Sequence, residues 1–138
     1  MYVDQMKKRG SLFSFKLYLR DAYEDEEIRK ELEDPETEEP YFLKFRELTG
    51  DEFRELVDVD KKEQIKLLEK KLKDCILEHN LRDSDREIVS VDDAVAAIRE
   101  YGSMYYWALE QWQNNIPLLE RSASRLKGSR GMSSEADE

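Results

Sequence analysis

Between Leu12 and Arg20 the chain alternates strictly: Phe13, Phe15, Leu17 and Leu19 take one parity, and Ser14, Lys16, Tyr18 and Arg20 the other. A period of two lines one face of a β-strand, so this run commits the N-terminal part to a sheet with a single buried side. A second run, Tyr41 to Leu48, sets Tyr41, Leu43 and Phe45 on one face against Phe42, Lys44 and Arg46 on the other. Its pattern predicts an antiparallel partner for the first strand, and so a hairpin.

The connection between the two runs is long for a hairpin, and it holds most of the molecule's net charge. From Asp21 to Pro40 there are eleven carboxylates against Arg29 and Lys30, a local balance of −9 in a chain of net charge −10. The acidity therefore belongs to one insertion. It argues against general nucleic-acid affinity, and leaves either a solvated spacer or an acidic docking segment at Glu24, Asp25, Glu26 and Glu27. Ile28 and Leu32 at helical spacing predict a helical turn that Asp34-Pro35 stops.

Helix signals follow the second strand. Thr49-Gly50-Asp51-Glu52 is a capping box, with Leu48 and Phe53 placed for the accompanying hydrophobic staple. Asp60 and Glu63 offer a second cap, for a helix running to about His79 with Ile65, Leu68, Leu72, Cys75, Ile76 and His79 on one face. Ser90 and Asp93 cap a third, predicted to run from Val91 to about Trp112, before Asn114-Asn115 and Pro117 end it. Leu118, Leu119, Ala123 and Leu126 allow one more short helix. The expected fold is α+β and mainly α: an N-terminal antiparallel hairpin with a long acidic connection, then a bundle of three to four helices. It forms one domain over residues 11–127, between a flexible arm at 1–10 and a disordered tail at 128–138.

Several chemistries lack their residues. One Cys excludes an internal disulfide framework, and Cys75 with His79 supplies two ligands where a closed metal site needs four. Cys75 and His79 also lack an orienting third group for thiol catalysis. Asp83-Ser84-Asp85-Arg86-Glu87 starts like a calcium loop, but Ile88 stands where the loop turns on Gly, and Ala94 where it closes on Glu. No glycine-rich phosphate loop is present. The apolar stretches are far shorter than the ~20 residues that cross a bilayer. These readings point to a non-enzymatic protein without cofactor or metal, soluble in a reducing cytoplasm, with no membrane or nucleic-acid partner.

On a helical wheel the 91–112 segment is apolar on two sides. Tyr105, Leu109 and Trp112 make the main stripe, while Ala96, Ala97, Met104 and Trp107 fall opposite, with only Glu100 charged there. Such a helix is either central in its bundle or presents a patch to a partner, so Met104, Trp107, Ala96, Ala97 and the neighbouring Tyr106 are the candidate partner-binding residues.

Three stretches together resemble the tail assembly chaperones of long-tailed bacteriophages, over roughly residues 11 to 112. They are the hairpin ending in Phe42-Leu43-Lys44-Phe45-Arg46-Glu47-Leu48-Thr49-Gly50, the segment Leu72-Lys73-Asp74-Cys75-Ile76-Leu77-Glu78-His79-Asn80-Leu81, and the helix starting near Val91. The resemblance implies a protein of the host cytoplasm, absent from the mature virion. It would bind tape measure protein and tail tube subunits and keep them soluble until the tube polymerises, with self-association left open. Two other readings compete: an acidic inhibitor or DNA mimic acting through the 21–40 segment, and a minor structural phage protein.

Overall fold

A computed structural model describes residues 13–119. The fold is α+β and mainly helical, as the periodicities predict. The predicted arm at 1–10, the tail at 128–138 and most of the helix anticipated after Leu118 lie outside the described residues.

The first two strands are β1 (Ser14–Tyr18) and β2 (Phe42–Arg46). They pair antiparallel, as the hairpin reading expects, with Phe15 opposite Phe45 and Leu17 opposite Leu43, so the apolar parity of both faces one way. β1 is shorter than the alternation suggests. After Tyr18 the chain tightens into a 3-10 turn (Leu19–Ala22), although the Leu19 amide still donates to the Tyr41 carbonyl at 3.0 Å. Within the acidic connection α1 (Glu26–Glu31) forms at the predicted place, capped by the Asp25 carboxylate, which accepts from the Glu27 and Ile28 amides.

Helix α2 (Gly50–Val57) begins at the predicted capping box, with the Thr49 hydroxyl accepting from the Glu52 amide and the Glu52 carboxylate accepting from the Thr49 amide at 2.8 Å. Helix α3 (Lys61–Cys75) is capped by Asp60. It does not reach His79. At Ile76 the backbone turns extended, and Ile76–His79 is a third strand, β3, on the free edge of β2. The sheet order is β1-β2-β3, all antiparallel. Strand β3 carries a bulge: Leu43 faces His79 and Lys44 faces Glu78, but Phe45 faces Ile76, leaving Leu77 extra and exposed. Ile76 and His79 thus both point inward three residues apart, and that spacing imitates a helix.

The predicted 91–112 helix is two helices, α4 (Val91–Arg99) and α5 (Gly102–Asn115). The break falls at Tyr101, whose backbone is extended, just before Gly102. Nothing within 4 Å would obstruct a side chain at Gly102. Its part is therefore energetic: helical Gly costs about 1 kcal/mol relative to Ala, which makes an interruption there cheap.

One face of the sheet packs on α5, where the Phe45 and Trp112 rings stack 4.6 Å apart and nearly parallel, both almost wholly buried. Leu19, Leu43, Leu56, Leu68 and Leu109 complete the centre of the core. Two glutamines join α3 to α5 inside it. Gln113 donates to the Gln64 side-chain oxygen at 2.8 Å and to the Lys61 carbonyl, and Gln64 donates to the Leu56 carbonyl at 2.9 Å.

Candidate functional site: grooves at the two ends of the last helix

The acidic connection is folded onto the domain. Arg20 pairs with Glu33 at 2.6 Å, and Arg29 donates to the Arg20 and Tyr23 carbonyls while lying 3.4 Å from Asp21. Asp34 is buried. Its carboxylate accepts from Arg86 at 2.9 Å and from the Glu36 and Thr37 amides, with Arg82 3.6 Å away. The Arg86 bond, then those amides, hold the Asp34 carboxyl down at about 2 despite burial. Arg86 sits in left-handed backbone (φ 68°), in a turn closed by its amide to the Asp83 carbonyl. The segment is therefore not a solvated spacer: part of its charge is consumed in fastening it. The four candidate docking residues remain on the surface, Glu24, Glu26 and Glu27 exposed and Asp25 engaged as the cap of α1.

Fastening Asp34 places Leu32 and Tyr41 beside the α4–α5 elbow. Between them lies an open apolar groove of about 150 Å³, walled by Leu19, Leu32, Tyr41 and Leu81 on one side and by Ala97, Tyr101 and Met104 on the other. Tyr101 is 60% exposed and Ala97 is also exposed. A space of this volume is too small for most small-molecule sites, which run to roughly 300–1,000 Å³, but it holds one bulky apolar side chain.

A second groove lies toward the other end of α5, between it and the first half of α3. It encloses about 630 Å³ and is lined by Lys61, Lys62, Ile65, Lys66 and Glu69 from α3, and by Tyr106, Glu110, Gln113 and Asn114 from α5. Glu69 accepts from the Tyr105 hydroxyl at 2.8 Å, and burial together with that carboxylate pushes the Tyr105 phenol well above its ordinary range.

The five predicted partner-binding residues do not make one face. Ala97 and Met104 meet in the apolar groove, and Tyr106 belongs to the lysine-lined one. Ala96 is exposed and Trp107 is half-buried against the core; neither lines these two grooves. Met104 requires a correction, since it is 4% exposed and part of the core, not the outer side of a two-faced helix. The elbow at Tyr101 resets the helical phase, so angles counted through it do not hold for α5. Leu32, Tyr41 and Leu81 escaped the sequence reading because no local pattern brings them together.

Cys75 and His79 are not neighbours on a helix: the first ends α3 and the second lies in β3. Burial pushes the Cys75 thiol up to about 11, which leaves it unionised at neutral pH. The His79 ring is held neutral by burial and accepts from the Leu81 amide at Nδ1. Among the described residues no group of three or more His, Cys, Asp or Glu is placed to hold a metal ion, and no helix is long and apolar enough to cross a membrane. Comparison of the chain with protein-family models, with curated proteins and with solved structures returns no match.

Proposed function

We propose that the protein is an assembly chaperone of the kind found in phages with long tails, holding a tape measure protein or tail tube subunit soluble by taking up its exposed apolar side chains. The observation that carries this reading is the apolar groove beside the α4–α5 elbow. It is open, its rim carries the exposed Tyr101 ring, and it follows directly on the acidic helix α1, whose Glu26 and Glu27 are exposed. A client helix would insert one anchor and lay its neighbouring turns along the rim, the usual way a groove captures an amphipathic helix. Full burial of one Leu or Phe anchor contributes about 1.5–3 kcal/mol to holding a client that is later released to polymerise, the neighbouring turns along the rim supplying the rest. The sequence resemblance to tail assembly chaperones supplies the identity of the client.

The DNA-mimic reading loses ground to the internal use of the acidic segment. Asp21, Glu33, Asp34 and Glu36 each lie beside an arginine of this same chain, so less of the negative surface faces outward than the sequence suggests.

The test is co-expression with candidate tape measure and tube proteins, scoring client solubility and co-purification. Ala97→Glu is the diagnostic variant, because Ala97 is exposed, whereas Trp107 is packed against the core. The wild-type chain should raise client solubility, and Ala97→Glu should lower the gain about tenfold or more while melting like the wild type. A client whose solubility is the same with either form, or with neither present, sinks the proposal. Recovery of the chain in purified virions would favour the structural-component reading instead.

A further inference from the structure

We infer that the groove between α3 and α5 is a seat for a third helix, supplied by a partner protein, with an apolar seam and carboxylates along the flank that meets α3. Two helices packed side by side leave between them a trough that a third helix fills, and these two are locked by the buried Gln64–Gln113 bond. The floor of the trough presents Ile65, half-buried, and Tyr106, 53% exposed. Its rims differ in charge. Along α3 run Lys62, Lys66 and, one turn on, Lys70, all exposed, and among the described residues no carboxylate lies within ion-pairing distance of them. Lysines four apart repel one another along a helix, and an anionic neighbour relieves that repulsion. On α5 the rim is Glu110, while Glu69 is engaged with the Tyr105 hydroxyl.

An apolar seam with charges on either side is how coiled-coil partners select one another, and the arrangement specifies acid toward α3 and base toward Glu110. The α3 rim from Lys62 to Lys70 is about 12 Å long at 1.5 Å per residue, so three helical turns cover it. Helix α3 carries six lysines against three carboxylates in a chain of net charge −10, so the preference is local and opposes the field of the molecule as a whole. The inference does not depend on the chaperone reading, which the apolar groove at the other end of α5 carries.

The experiment uses two synthetic three-turn amphipathic helices with the same Leu seam, one with a Glu flank and a Lys flank, the other with Lys on both. Binding to the full chain is followed by fluorescence anisotropy of the labelled peptide. The Glu-bearing peptide should bind at least about tenfold tighter, as expected for two or three rim ion pairs in place of repulsion. The Lys62→Glu/Lys66→Glu double variant should reverse the order, and Tyr106→Ser should weaken both peptides. Both variants lie on exposed positions and should melt with the wild type. Equal binding of the two peptides, or an order unchanged in the double variant, overturns the inference. So does displacement of the probe by a peptide of residues 129–138, or a wild-type dimer that the double variant dissolves, since either would make this chain its own occupant.

Discussion

The Gln64–Gln113 pair is where the groove between α3 and α5 meets the core, and replacing Gln64 by Leu tests whether it holds the two helices together. Gln64 is 1% exposed and Leu nearly matches its volume, so the change opens little cavity and its cost is polar. Two hydrogen bonds lose a partner. The Leu56 carbonyl belongs to the last turn of α2, where no helical amide reaches it, and Gln64 is its donor at 2.9 Å. Gln113 loses its 2.8 Å acceptor but keeps the Lys61 carbonyl at 3.0 Å. Each buried group left unsatisfied costs about 1–3 kcal/mol, which puts Gln64→Leu at roughly 2–4 kcal/mol. With a urea m-value of about 2 kcal/mol/M, the unfolding midpoint followed by far-UV circular dichroism should fall by about 1–2 M at unchanged slope. Gln113→Leu should cost a similar amount. The double variant should cost less than the sum by about 1 kcal/mol, because the second substitution removes a bond already broken. A midpoint for Gln64→Leu within about 0.3 M of wild type would refute the reasoning, since it would mean that water reaches these groups in solution.

Three further outcomes follow from the local electrostatics. The Glu52 carboxyl is held at about 2, first by its paired bonds from Arg46 at 2.9 and 3.0 Å and then by the Thr49 amide, against an ordinary value near 4.5. Its folded value is depressed, so its stabilisation is present above about 4.5 and is lost as pH falls toward 2. An acid titration of Glu52→Gln should accordingly converge with wild type near pH 2 and separate from it above pH 5. Asp34→Asn should loosen the connection without unfolding the domain, so amide exchange at 34–41 should accelerate in hydrogen-exchange mass spectrometry while β2 and α5 keep their protection; uniform acceleration would contradict this. Cys75, wholly buried with its thiol pushed up to about 11, should resist a thiol reagent at pH 8 in the native state and react at once in urea; prompt native labelling would count against the burial.

What was legible in the sequence is what is encoded locally. The parity of Phe15, Leu17, Leu43 and Phe45 told which face of β1 and β2 is apolar, and the Thr49, Asp60 and Ser90 caps each start a helix where their side chains predict. Strand β3 was not legible because its bulge gives Ile76 and His79 a spacing of three, which continues the period of α3 without interruption. The elbow between α4 and α5 was not legible because Ile98, Gly102 and Tyr105 continue the three- and four-residue spacing across it, and Gly102 only lowers the cost of a break that tertiary packing exploits. Of the candidate residues, Ala97 and Met104 line the apolar groove and Tyr106 the lysine-lined one, but the helical phase that grouped them fails beyond the elbow, where Met104 turns into the core. The opposite wall of the apolar groove was out of reach, since the Asp34–Arg86 pair that positions it joins residues 52 apart.

That long-range pair gives the acidic insertion a role its charge count conceals. Were the segment a free acidic loop, Leu32 would have no fixed place, and the α4–α5 elbow would lose one wall of the notch for an anchor. The Tyr41 amide donates to the Leu32 carbonyl at 3.0 Å, and the Asp34 amide to the Glu39 carbonyl at 2.8 Å, so the two ends of the connection are zipped together just below the clamp. The carboxylates therefore divide by function. Those facing arginines shape the groove, and Glu24, Glu26 and Glu27 are left to colour the surface beside it. A partner with an apolar anchor and basic flanking residues would satisfy both at once, whereas an acidic anchor segment would be repelled there and favoured along the lysines of α3. If both grooves take helices as proposed, the opposite charges at the two ends of α5 would sort them by sign before any apolar contact is made.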